Sequence, residues 1–166
     1  MGNAIKTIFT GLFLSWLSPM HACTQTPAAG SSLPVVFVAS TPCSAGTRPL
    51  PGIPESAGCE LIKWKLKLFG GAGAGTYVLD CDYGLPRQGT RGFIQVGQHL
   101  HKEGKWVIIK GAGANPAAIV YRFDPDNPPA SVSFLRLNEN LLHLLDSKQQ
   151  LMIGTGAWSY TLNRVP

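Results

Sequence analysis

The segment Ile62–Leu68, Ile-Lys-Trp-Lys-Leu-Lys-Leu, alternates without interruption: Ile62, Trp64, Leu66 and Leu68 are apolar, and Lys63, Lys65 and Lys67 are charged. Successive side chains of a strand point to opposite faces, so a period of two predicts a strand buried on one side only. Thr76–Tyr83 alternates as well, with Tyr77, Leu79, Cys81 and Tyr83 on one face and Asp80 and Asp82 on the other. The Gly-Gly-Ala-Gly-Ala-Gly stretch between them, Gly70–Gly75, reads as the loop of a hairpin. Pairing Phe69 with Thr76 sets Trp64 opposite Cys81, Leu66 opposite Leu79 and Leu68 opposite Tyr77. The same register sets Lys65 against Asp80 and Lys63 against Asp82. Apolar and charged faces then agree, and a slip of one residue would lose both.

Weaker alternation predicts further strands at 34–40, 91–96, 105–110, 118–123, 131–137, 141–146 and 157–165. Turn-forming residues separate them, at Glu103-Gly104, 111–116, 124–129, 138–140 and 146–150. Residues 140–152 also admit a helical reading. Short strands at this spacing predict an all-β fold, a small antiparallel β-barrel or sandwich. The expected core contains Trp64, Leu66, Tyr77, Leu79, Trp106, Ile108, Tyr121, Phe134 and Leu144. Mostly large residues at the inward positions favour a filled interior.

The N-terminal segment has a different pattern. Lys6, the apolar run Thr7–Leu17, Pro19 and then Met-His-Ala-Cys are ordered as in a secretory signal peptide over residues 1–22, and the run is too short for a stable membrane anchor. Met-His-Ala-Cys is similar to a bacterial lipobox, which would put lipid on Cys23. The polar stretch 23–33 suits a flexible tether, and 34–166 forms the single domain. The alternative is ordinary cleavage and release of a soluble exported chain. Under the lipoprotein reading the protein is exported to the cell envelope and attached to the outer membrane, since Thr24 gives no reason for inner-membrane retention. The formal charge of +5 is spread along the chain, so no clustered basic face points to nucleic acid. A monomer is expected.

The hairpin register puts Cys59 opposite Pro86, too far from Cys81 for a bridge. Cys81 then reads as a buried thiol beside Trp64. Cys43 and Cys59 bracket a Pro- and Gly-rich stretch, and in an oxidising compartment a disulfide between them is expected. The other reading is a pair of thiolates holding Cu(I).

Chemistry is sparse. The glycine-rich stretches lack the Lys-Ser/Thr that completes a phosphate loop, and no nucleophile elbow or paired-carboxylate arrangement is evident, so the expectation is a protein that is not an enzyme. His99 and His101 share a face of an extended segment, with Glu103 nearby, and could ligate a metal; placed in a loop, they could equally be a solvated pair. His143 reads as a surface residue of an alternating strand.

Pro42-Cys43, "CELIKWKLKL" from Cys59, "GTYVLDCDYG" from Gly75, "EGKWVI" from Glu103, "VYRF" from Val120 and "LNENLLHLLDSKQQLMIG" from Leu137 together resemble the N-terminal domain of the NlpE-like bacterial lipoproteins. The resemblance runs from about Pro42 to Val165. It implies a lipocalin-like barrel and a role in copper homeostasis or envelope stress at the outer membrane, with copper the one cofactor it brings in. The family's compact Pro-Cys-x-x-Cys is not reproduced, because Gly46 stands three positions after Cys43. The resemblance covers only the family's N-terminal domain. The expected function is therefore that of a non-enzymatic envelope lipoprotein with a sensing or binding role. The alternatives are a lipocalin-type carrier of a small apolar ligand, or a structural or inhibitory surface protein acting through its loops.

Overall fold

The structure, a computed structural model, describes residues 33–44 and 46–166. The expected signal peptide, the expected lipidation site Cys23 and all of the expected tether except Leu33 lie outside the described residues. The strands are β1 (Val35–Pro42), β2 (Leu61–Gly71), β3 (Ala74–Gly84), β4 (Gln98–Ala112), β5 (Asn115–Phe123), β6 (Val132–Asn138), β7 (Leu141–Leu145) and β8 (Thr161–Val165). Each pairs antiparallel with the next, and β8 pairs with β1 to close a barrel. Closure gives every strand a partner on each side over at least part of its length, which limits edge-to-edge association.

The β2–β3 register is the one the alternation predicts, from Ile62 opposite Tyr83 to Phe69 opposite Thr76. The ladder runs further than expected, through Gly70–Gly75 and Gly71–Ala74, so the loop shrinks to Ala72-Gly73. Gly75 has a packing reason. A Cβ there would collide with the Phe69 carbonyl and lie 2.9 Å from Nε1 of Trp106. Without it, the Trp106 indole reaches across and donates to the carbonyls of Phe69 and Thr76 at 3.1 and 3.0 Å.

Inward residues fill the middle of the barrel. Trp64, Leu66, Tyr77, Leu79, Trp106, Phe134 and Leu144 are buried as expected, joined by Phe123, Leu142 and Leu162. Each such side chain removed from water contributes roughly 1.5–3 kcal/mol. The buried Trp64 Nε1 donates to Oγ1 of Thr41 at 2.8 Å, so neither polar group is stranded. Ile108 and Tyr121 are only half-buried, because they stand near one mouth of the barrel.

The two ends differ. At the end where β1 finishes, a Cys43–Cys59 disulfide, Cα atoms 5.4 Å apart, ties the Pro-rich loop across the opening. Leu50 and Ile53 of that loop are buried against the core and stopper the barrel. Arg48 holds the loop from within, donating to the carbonyls of Pro54, Glu55 and Ala57. Among the described residues, the end where β1 begins has no such cover.

Three strand expectations change. Residues 91–96 are not a strand; only Phe93 forms a bridge, to Pro86. Glu103-Gly104 is not a turn but lies within β4, which is much longer than 105–110. Residues 141–145 form the expected strand rather than the alternative helical turn, followed by a turn in which the Asp146 carboxylate accepts from the amides of Lys148 and Gln150. The last strand begins at Thr161 rather than residue 157.

Candidate functional site

Extending β4 back to Gln98 moves His99 and His101 out of a loop and onto the barrel wall beside β3. The register aligns Lys63, Asp82 and His99 in one row across β2, β3 and β4, and Lys65, Asp80 and His101 in the next. All six point outward, opposite to the buried set. The expected Lys63–Asp82 and Lys65–Asp80 ion pairs do not form, although the residues face each other. Both carboxylates turn to the histidines instead, and Lys63 reaches the Arg91 carbonyl and the Phe93 ring, 5.1 Å from its centroid.

The contacts within the cluster are specific. Nδ1 of His99 lies 2.8 Å from Oδ1 of Asp82, and its Nε2 lies 3.8 Å from Oδ1 of Asp80. Nδ1 of His101 lies 2.7 Å from the same Asp80 oxygen, and its Nε2 lies 3.1 Å from Oε1 of Glu103. Each imidazole is thus held at one nitrogen by its own carboxylate and turns the other towards Asp80. Asp80, His99 and His101 each offer a ligand atom within 4.8 Å of the others. Metal-bound histidines commonly have this arrangement, since a carboxylate on the far nitrogen fixes the tautomer and raises the basicity of the near one.

Electrostatics follow the same contacts. The hydrogen bond from His101 holds the Asp80 carboxyl below its usual range, with nearby positive charge adding to it. Asp80, then Glu103, raises His101 above the ordinary imidazole value. A proton shared along Asp80–His101 therefore occupies the position a cation would take. The side chains are 55% (His99), 49% (His101) and 29% (Asp80) exposed, so an ion bound here would be open to solvent and exchange. Two imidazoles and one carboxylate suit Cu(II), Zn(II) or Ni(II), and three protein ligands leave a coordination position open.

The other candidate residues fall elsewhere. Cys43 and Cys59 are bonded to each other at the stoppered end, so they offer no thiolate pair for Cu(I). Cys81 is buried beneath the outer face, and burial drives its thiol pKa well above the usual value, keeping it protonated. His143 is half-buried rather than on the surface, with Nδ1 2.9 Å from Thr161 Oγ1 and Nε2 2.9 Å from the Met152 carbonyl. Cys23 lies outside the described residues. Asp80 and Asp82 are the site residues that sequence reasoning assigned to other partners.

Comparison with models of known families, with curated proteins and with solved structures finds no match to this chain.

Proposed function

We propose that this protein is a non-enzymatic binding domain of the bacterial cell envelope. In this reading it is held to the outer membrane through lipid on Cys23 and takes a divalent transition ion at Asp80, His99 and His101. The observation that carries the binding role is the pair of carboxylate-held imidazoles turned towards one aspartate. The open coordination position and solvent exposure suit reversible loading, as sensing or buffering requires, better than a structural ion. Copper is the favoured cargo, in keeping with the NlpE-like resemblance.

The envelope assignment is supported by the order of charge, apolar run and Cys23 at the N-terminus, and by the Cys43–Cys59 disulfide, a bond typical of oxidising compartments. β1 begins at the uncovered end of the barrel. A tether from Cys23 would therefore turn that end towards the membrane and the disulfide-stoppered end away from it. The domain would act as a monomer, with a membrane and not a nucleic acid as its neighbour.

Two measurements test the proposal. Intact mass of the protein extracted from membranes should show acyl groups on Cys23; an unmodified, soluble chain would refute the anchor. Calorimetric titration with Cu(II) should give one ion per chain, with affinity falling at least about tenfold in His99→Ala and in His101→Ala. Unchanged titration in both variants would refute the site.

A further inference from the structure

The uncovered end of the barrel is a cup of about 490 Å³. Phe37, Leu68, Trp106, Ile108 and Leu142 line its wall, and the buried middle of the core forms its floor. The stopper of Leu50 and Ile53 covers the opposite end of the barrel. Concave apolar sites of this size, with a few polar groups at fixed places, are the usual form of a small-molecule pocket.

The charged groups of the lining are two arginines and one carboxylate, Arg136, Arg164 and Glu139, with Asn138 and Tyr121 as the other polar side chains, so positive charge is in excess. Arg164 pairs with Phe37 across β8 and β1, and Arg136 pairs with Leu142 across β6 and β7. Phe37 and Leu142 are inward residues, so both arginines occupy inward positions of the alternation, where the rest of the barrel places apolar side chains. Both line the cup. Their neutralisation is incomplete. Arg136 approaches Glu139 only to 3.9 Å, and that carboxylate is 81% exposed. The Arg164 guanidinium makes no ion pair or side-chain hydrogen bond to the described residues. Guanidinium groups match carboxylate and phosphate oxygens in a two-pronged geometry.

We propose that this mouth binds a single-chain amphiphile with an anionic head: the chain enters the apolar cup, and the head is held by Arg136 and Arg164. Such a ligand satisfies both features at once, whereas a neutral hydrocarbon leaves the guanidinium groups unused and a cationic amphiphile is repelled by them. The site is separate from the Asp80–His101 cluster, which lies on the outer face of β3 and β4, and does not depend on the metal-binding role.

The test is calorimetric titration of the disulfide-intact protein with dodecanoate, dodecanol and dodecyltrimethylammonium, each below its micellar concentration. Dodecanoate should bind once per chain, at least about tenfold more tightly than the cationic analogue, and the Arg136→Gln/Arg164→Gln double variant should lose at least that factor for dodecanoate alone. Absence of dodecanoate binding, or equal binding of the anionic and cationic chains, would overturn the proposal. The comparison of head groups on the unaltered protein decides this even if the double variant fails to fold. In a folded double variant, undiminished dodecanoate affinity would also overturn it. Decanoyl phosphate in place of dodecanoate distinguishes a preference for phosphate from one for carboxylate, since the tighter binder identifies the head group.

Discussion

The Asp80 carboxylate stands 2.7 Å from Nδ1 of His101, across the β3–β4 ladder, and this contact shifts both groups towards their charged forms. His101, raised in the folded state, contributes stability that is fully present below the unfolded value of about 6.5 and is lost as pH rises through its folded value. Asp80, lowered, contributes stability present above about 3.9 and lost as pH falls through its folded value. Both contributions coincide between those two limits. Proton NMR of the metal-free protein should therefore show His101 titrating above 6.5, and Asp80→Asn should bring it back down. A His101 titration unmoved by Asp80→Asn would contradict the pairing.

A second prediction concerns Gly104. An added Cβ would collide with Oδ1 of Asp124 and lie 2.9 Å from Cε1 of Tyr77. Tyr77 donates its hydroxyl to Oδ2 of Asp124 at 2.6 Å, and burial, reinforced by Asp124, raises the Tyr77 pKa. Gly104→Ala should destabilise by about 1–3 kcal/mol in urea unfolding, with the midpoint moving and the slope unchanged.

The disulfide supplies a third. Reduction, or Cys43→Ser with Cys59→Ser, should cost about 2–4 kcal/mol. Part of that loss comes from freeing Leu50 and Ile53, so Leu50→Ala in the bridged protein should by itself cost about 2–5 kcal/mol. Thermal melting of the three proteins separates the contributions.

Cys81 supplies a fourth. It is 1% exposed and kept as a thiol by burial. A thiol reagent should leave it unmodified in the native protein at neutral pH and modify one cysteine on denaturation without reductant, in a chain whose Cys23 is acylated or replaced. Rapid native modification would place Cys81 at the surface.

How much of this could be read from sequence depended on what filled the inward positions. Around Trp64 and Leu79 every inward position is apolar, and the β2–β3 register follows residue by residue. In β4 the inward series is Leu100, Lys102, Gly104, Trp106 and Ile108, by pairing with the inward residues of β3 and β5. Lys102 is held there by Asp124 at 3.9 Å, and Gly104 makes room for the same carboxylate. A lysine and a glycine in core positions erase the apolar period, so the first half of β4 looked like a turn and the histidines looked like loop residues. Ile94 and Val96 show the converse. They alternate in sequence, yet β3 is already paired with β4, and the segment becomes a loop with Ile94 and Val96 exposed. The metal candidate was half legible for the same reason. His99 and His101 share a face by period alone, but Asp80 joins them only once β4 is placed next to β3. The arginine-lined cup was hidden because Arg136 and Arg164 break the inward pattern at strand ends, where alternation is weakest as a signal.

A transition ion held by Asp80, His99 and His101 would be seen by electron paramagnetic resonance of the protein loaded with one equivalent of Cu(II). Hyperfine coupling from two imidazole nitrogens is expected, reduced to one in His99→Gln and in His101→Gln and with altered parameters in Asp80→Asn. A spectrum of free copper, or one that the His99→Gln and His101→Gln substitutions leave unchanged, would contradict it.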